Sequence, residues 1–146
     1  KEIRLLLDTQ GFNKNNLNPI NGLIPFINSI APHKKLAICS GAIHSEILCG
    51  IQKLEPHLYS SQFKQIISAE DVQTGKPAPE GYLLTAQNLN VSPHQCLVIE
   101  DSPHGIKAAK TAGMTVVALL TTHNSSEVHE ADYITDDFTT LLCEYV

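Results

Sequence analysis

The chain has 146 residues, of which 42% are hydrophobic and 17% are charged, and its formal net charge at pH 7 is −5. This composition excludes disordered and collagen-like chains, and it is typical of one soluble domain with a single core. Lysine and arginine are scattered without a basic stripe, and no apolar run approaches the ~20 residues of a membrane span. We therefore expect neither nucleic acid nor a membrane as a partner.

The cysteines and histidines show no pattern of a disulfide framework or of a zinc site. No two cysteines form a CxxC pair, and no two histidines have HxxxH or HExxH spacing. We therefore expect a reduced, cytoplasmic protein, and we expect it to be a monomer. The chain begins at Lys1 without a signal-peptide pattern, and we expect this start to be a truncation.

Short apolar runs alternate with helix-period segments from about residue 17 onward, which is typical of crossover units on a parallel sheet. Residues 35–39 are predicted as a strand, and the apolar residues from Ile43 to Leu54 recur at helical spacing after it. Residues 65–68 are predicted as a shorter strand. A helix opened by prolines follows, and its predicted inward-facing residues are Leu83, Leu84, Ala86 and Leu89.

The second half of the chain contains the strand with the clearest signal. Residues 96–99 are apolar throughout, which predicts a central strand covered by helices on both faces. Ser102 is expected to cap the next helix, and Gly113 is expected to end it in the left-handed conformation. The remaining elements are predicted at residues 114–120 (strand), 132–135 (edge strand) and 138–145 (helix). The predicted fold class is α/β.

Polar residues follow two of these strands, at the edge where ligands bind in open parallel sheets. Ser40, Gly41 and Ala42 follow the first strand and offer a hydroxyl and backbone N–H groups to an anion. The structural alternative is that Ser40 only caps a helix. Glu100 and Asp101 follow the strand 96–99, and a hard cation such as Mg²⁺ is the natural counter-charge for two such carboxylates. The structural alternative is capping of the next helix by Asp101 or Ser102, with Glu100 in solvent.

Lys76 stands just before a helix whose prolines stiffen the backbone. An ammonium held there could neutralise a phosphate and an attacking carboxylate together. The alternative is a solvated loop lysine. In either case we expect its substitution to have little effect on folding.

Three segments, in this order, resemble motifs of the haloacid dehalogenase-like (HAD) superfamily. Residues 37–42 (AICSGA) are similar to motif II, residues 75–80 (GKPAPE) to motif III and residues 98–109 (VIEDSPHGIKAA) to motif IV. The last is the most specific and looks like the β-phosphoglucomutase-like and phosphoglycolate phosphatase-like branch. The resemblance covers about residues 17–146 and implies a Rossmann-like three-layer sandwich with a mainly parallel sheet.

The resemblance also implies phosphoryl transfer through an aspartyl-phosphate, with Mg²⁺ as the cofactor. Asp101 would be a metal ligand, and Glu100 would bind the ion directly or through water. The phosphoryl oxygens would be held by Ser40, Gly41, Ala42 and Lys76. Ser40, Lys76 and Asp101 are thus the predicted catalytic residues.

The chain departs from the family at motif I, which is Asp-x-Asp at the end of the central strand, the nucleophile followed by a general acid/base. No Asp-x-Asp occurs in this chain. One hypothesis makes residues 1–16 a remnant of the helical cap and its linker, so that the core, residues 17–146, lacks its first central strand. The other makes residues 3–11 a degenerate motif I, with Asp8 as the nucleophile and Gln10 in place of the acid/base.

We favour the cap remnant, because the other motifs look like the capped branch and Ile3, Leu6 and Leu7 also suit a helix. The nucleophile would then lie outside this chain, and the chain alone should be nearly inactive. The leading functional hypothesis is a Mg²⁺-dependent phosphatase or phosphomutase acting on a small phosphorylated metabolite. The alternative is a catalytically inactive module that binds phosphate or a partner.

Overall fold

The computed structural model describes residues 4–7 and 19–145, which form a six-stranded sheet between two layers of helices. The strands are β1 (Arg4–Leu7), β2 (Leu36–Cys39), β3 (Phe63–Ile67), β4 (Cys96–Glu100), β5 (Thr115–Leu119) and β6 (Tyr133–Thr135). The helices are α1 (Leu23–Ile30), α2 (His44–Gln52), α3 (Glu80–Leu89), α4 (Pro103–Thr111) and α5 (Phe138–Tyr145). The strands follow the order β3-β2-β1-β4-β5-β6, and all neighbours are parallel. None of these described helices combines the length and apolar character that crossing a bilayer requires.

Alternating side chains of the central strands supply two cores, one on each face of the sheet. Leu36 and Ile38 of β2 face the layer formed by α1, α2 and α5. Ala37 and Cys39 face the layer formed by α3 and α4. Because both faces are covered, β2 and β4 are buried along their whole length, and residues 36–39 and 96–99 appear in the sequence as continuous apolar runs.

The first central strand is present, contrary to our expectation. β1 lies between β2 and β4, with Leu7 opposite Ile38 on one side and Ile99 on the other. The cap-remnant hypothesis is therefore wrong for residues 4–7. Two central strands cannot leave their facing backbone groups unpaired, and an extended Leu-rich segment pairs with both at once. Outside the described residues lie the candidate motif I positions Asp8 and Gln10.

The other predicted strands and the closing helix are confirmed, with small shifts at their ends. The α/β fold class and the parallel, Rossmann-like layering are therefore confirmed. Ser102 caps α4, since its Oγ accepts a hydrogen bond of 3.1 Å from the Gly105 amide. Gly113 follows α4 with φ of 80°, as its predicted left-handed role requires.

Two residues predicted to face inward are exposed. Leu83 is 42% exposed and Ile43 is 44% exposed. Ile43 precedes α2 in an extended conformation, so it does not share the buried face of that helix. The inward face of α3 starts one residue before Leu83 and comprises Tyr82, Thr85, Ala86 and Leu89.

Candidate active site

The carboxyl ends of the central strands meet at one edge of the sheet, and three predicted site residues lie there. Ser40 follows β2 directly, Glu100 ends β4, and Asp101 comes next. All three residues are buried. This edge is where loops enter helices in open parallel sheets and where ligands bind.

The loop that begins at Ser40 is anchored to the loop that follows β3. The Ser40 amide donates to the Ile67 carbonyl at 2.9 Å, and the Ala69 amide donates to the Ala42 carbonyl at 3.0 Å. The Ala42 amide donates to Ser40 Oγ at 3.1 Å and is thus engaged within the loop. The Gly41 amide has no hydrogen bond within the described part of the chain. Gly41 and the Ser40 hydroxyl are therefore the donors that this loop offers to an anion.

Lys76 reaches the same edge from the loop before α3. Its Nζ lies 2.6 Å from Oε1 of Glu100, 3.2 Å from the Cys39 carbonyl oxygen and 4.8 Å from the ring centroid of Tyr82. The Lys76 side chain is only 13% exposed. The alternative of a solvated loop lysine is therefore wrong. Because a buried carboxylate needs a counter-charge, we now expect the substitution of Lys76 to reduce stability as well.

Protein groups surround both carboxylate oxygens of Glu100. Oε1 accepts hydrogen bonds from Lys76 Nζ and from the Tyr82 hydroxyl, the latter at 2.8 Å. Oε2 accepts from the amides of Asp101 and Ser102 and from the Ser102 hydroxyl, each at 3.0 Å. Such a carboxylate has about four acceptor positions. Metal binding by Glu100 stays a prediction, and the observed contacts make it the counter-charge of Lys76.

Asp101 has one oxygen held by the protein and one that remains available. Its Oδ2 accepts hydrogen bonds from the hydroxyls of Thr121 at 3.3 Å and Thr122 at 3.1 Å. Its Oδ1 accepts none from any other residue in the described ranges. Burial, and after it the charge of Glu100, raise the pKa of Asp101 above its usual value. A cation at Oδ1 would therefore favour the ionised carboxylate.

Mg²⁺ fits this arrangement through Asp101. The ion prefers hard oxygen ligands, keeps several waters and is usually bound by one or two carboxylates. Across residues 4–7 and 19–145, no group of three or more Asp, Glu, His and Cys side chains is placed to hold a metal. Asp101 would thus be one protein ligand, with water completing much of the shell.

A cavity of about 370 Å³ opens beside Ser40 and Lys76. Its other walls include the apolar side chains of Cys39, Ile67, Val72, Ala78 and Tyr82. Volumes of this order are typical of sites for small molecules, as is an apolar wall with a few polar groups. The motifs predicted the polar groups, whereas the cavity forms only where β2, β3 and α3 come together.

Sequence-based prediction missed one residue of this site, Tyr82, and the structural reason for another, Gly105. Tyr82 is fully buried against Glu100, and its spacing to Leu89, about two helical turns, was the available signal. Gly105 was noted in the motif, but its reason is structural. A Cβ atom at this position would overlap the Glu100 carboxylate.

Several known proteins are similar to this chain in sequence or in fold. The sequence profile of the haloacid dehalogenase-like hydrolases matches residues 5–119. Validoxylamine A 7'-phosphate phosphatase from Streptomyces hygroscopicus subsp. limoneus is 50% identical to the chain over 74 residues. These residues are 51% of the chain and 35% of that protein. The structure of β-phosphoglucomutase from Clostridium difficile matches with a TM-score of 0.71 at 28% identity. This match covers 86% of the chain and 53% of that protein. The structure of a CbbY variant from Rhodobacter sphaeroides, in complex with xylulose-(1,5)bisphosphate, matches with a TM-score of 0.75 at 26% identity. This match covers 84% of the chain and 55% of that protein.

The chain spans about a third of the curated relative and little more than half of the two solved structures. The profile match begins inside β1, so it includes the strand that we expected to be missing. Sequence and fold agree on the resemblance drawn from motifs II to IV. The chain belongs to the haloacid dehalogenase-like hydrolase family.

Proposed function

We propose that the protein carrying this chain is a Mg²⁺-dependent phosphatase or phosphomutase that acts on a small phosphorylated metabolite through an aspartyl-phosphate. One observation carries the proposal. A buried ammonium (Lys76), a loop with donors available to an anion (Ser40 and Gly41) and a carboxylate with an available oxygen (Asp101) converge at one sheet edge.

Each of these groups has a distinct task in the proposal. The Ser40 hydroxyl and the Gly41 amide donate to phosphoryl oxygens, and Lys76 compensates the negative charge as the nucleophile approaches. Because these groups are already positioned, they need little reorganisation during the reaction. Asp101 holds Mg²⁺, which when bound would neutralise charge on the phosphoryl oxygens.

Asp8 is the nucleophile in this proposal, in place of one outside the chain. It directly follows Leu7, whose neighbours in the sheet are Ile38 and Ile99. A carboxylate oxygen of Asp8 attacks phosphorus, and the bond from phosphorus to the leaving oxygen breaks. The leaving oxygen takes up a proton from water. In the phosphatase, a water molecule then attacks the aspartyl-phosphate and releases inorganic phosphate.

Phosphorylated sugars are the proposed substrate class. One similar protein is named for a 7'-phosphate phosphatase activity, and another was solved with a sugar bisphosphate. The cavity beside Ser40 and Lys76, at about 370 Å³, is of a size that accepts such a molecule.

A catalytically inactive phosphate-binding module is the second candidate, and Gln10 is the observation that favours it. An amide cannot exchange a proton as a carboxyl group does, so the second half-reaction loses its general acid/base. This candidate predicts that the protein binds orthophosphate without turning over any phosphomonoester.

The test is hydrolysis of p-nitrophenyl phosphate and a panel of sugar phosphates, with Mg²⁺ or with excess EDTA. We expect Mg²⁺-dependent turnover that Asp8→Asn abolishes and Asp101→Asn lowers by about 100-fold or more. The matched control is Asp136→Asn, an exposed carboxylate, which should leave turnover unchanged. Undiminished turnover in excess EDTA would overturn the proposal.

A further inference from the structure

We infer that Tyr82 is a positioning residue for phosphoryl transfer, because its hydroxyl acts through Glu100 to fix where the Lys76 ammonium stands. The inference rests on the proposed function and adds to it a residue that touches neither phosphate nor metal in that scheme.

Tyr82 contacts the Lys76–Glu100 pair in two ways. Its hydroxyl donates to Oε1 of Glu100 at 2.8 Å, and Lys76 Nζ lies 2.6 Å from the same oxygen. Its ring centroid is 4.8 Å from Nζ, within the range of a cation–π contact. The hydroxyl therefore contacts the anion while the ring contacts the cation.

The shared oxygen limits where the ammonium can go. The Tyr82 hydroxyl occupies one of the acceptor positions of Oε1, so the Lys76 ammonium can use only the remaining position on that oxygen. There Nζ also reaches the Cys39 carbonyl at 3.2 Å, one residue before Ser40. When the hydroxyl is removed, we expect the ammonium to shift toward Glu100 and away from the loop that begins at Ser40.

The surrounding structure makes this arrangement rigid. Tyr82 is fully buried and belongs to α3, so its ring has a fixed place in the core. Ser102 holds the other oxygen of Glu100 through its amide and its hydroxyl. A charge supported in this way is the kind of preorganised group on which precise sites depend.

Tyr82→Phe tests the inference, because it keeps the ring and removes only the hydroxyl. We expect a folded variant in which kcat falls about tenfold while KM changes little. In its crystal structure, the distance from Lys76 Nζ to the Cys39 carbonyl should lengthen beyond hydrogen-bonding range. In a Lys76→Ala background the same substitution should have no further effect on kcat, whereas a merely structural role would add its own loss. Tyr133→Phe, the same change at an exposed site, is the matched control.

Unchanged kcat, an unmoved Lys76 ammonium or an additive effect in the Lys76→Ala background would each overturn the inference. Failure of the proposed function looks different, because the unaltered protein would then show no Mg²⁺-dependent turnover. In that case, two measurements on Tyr82→Phe still test the inference. A displaced Lys76 ammonium together with a weaker affinity for orthophosphate would support it, and an unchanged position or affinity would overturn it.

Glu100→Gln provides a second variant if Tyr82→Phe does not fold. It keeps the shape of the side chain and weakens the contacts of both Tyr82 and Lys76 to Oε1. We expect the same loss in kcat with an unchanged Mg²⁺ concentration for half-maximal activity. A raised Mg²⁺ requirement would make Glu100 a metal ligand and overturn the inference, as would unchanged kcat.

Discussion

The carboxylate of Glu100 lies where a Cβ atom on residue 105 would stand, so Gly105 lets α4 pass directly over a buried charge. Gly105 is in the first turn of α4, and Ser102 at the start of that helix binds both the Gly105 amide and Glu100. The spacing between serine and glycine in the motif therefore has a packing reason.

Gly105→Ala should destabilise the fold by about 2 kcal/mol, because either the helix or the Glu100 carboxylate must move. Urea denaturation would measure this as a lower midpoint at an unchanged m-value. Gly75→Ala is the matched control, since a Cβ atom at Gly75 meets nothing within 4 Å. That variant should stay within about 0.5 kcal/mol of the unaltered protein. Equal stability of the two variants would show that the overlap is relieved without cost.

Lys76→Ala should lower kcat by about 100-fold and should also reduce stability by about 3 kcal/mol. Both losses have one cause, because the same ammonium serves the proposed reaction and compensates the buried Glu100. Steady-state kinetics and urea denaturation measure them separately, with the exposed Lys64→Ala as a control. Combining Lys76→Ala with Glu100→Gln should recover stability without recovering activity. A variant with normal kcat would contradict the role of Lys76.

The pKa of Asp101 should make the stability of the metal-free protein depend on pH. Burial, and then the charge of Glu100, raise the pKa of Asp101 above 3.8, so the folded state binds this proton more tightly than the unfolded state. The free energy of unfolding therefore falls as pH rises from about 4 through the folded-state pKa. Asp101→Asn removes this loss.

Thermal unfolding without metal from pH 4 to pH 8 should therefore show that the melting temperature of Asp101→Asn increases relative to that of the unaltered protein as pH rises. Added Mg²⁺ should stabilise only the protein that retains Asp101, which narrows the difference. Parallel stability profiles for the two proteins would contradict the raised pKa.

Gln10→Asp should raise phosphatase turnover by about 100-fold, because it supplies the general acid/base that the family motif has at this position. We expect a phosphoenzyme to accumulate in the unaltered protein and to decay faster in Gln10→Asp. Rapid-quench experiments with radiolabelled substrate measure both decay rates. Asp8→Asn combined with Gln10→Asp is the control and should form no phosphoenzyme. Unchanged turnover in Gln10→Asp would contradict the assignment of residues 3–11 as a degenerate motif I.

Local patterns in the sequence were sufficient for most of the scaffold. An uninterrupted apolar run identified β4 because a strand covered on both faces needs no polar residues. The same logic placed Ser40 and Asp101 at the ends of buried strands, since the polar residues that follow such a run can only lie at the edge of the sheet.

Only the tertiary structure determined that residues 4–7 form a strand and which side chains contact Glu100. A short leucine-rich segment suits a helix or a strand equally, and pairing with both β2 and β4 decides between them. The contacts of Glu100 with Tyr82 and Lys76 join residues 18 and 24 positions apart, so local periodicity carries no record of them. A buried charge takes its partner from whatever the fold brings within reach, and only the packing of α3 against the sheet brings these two side chains to Glu100.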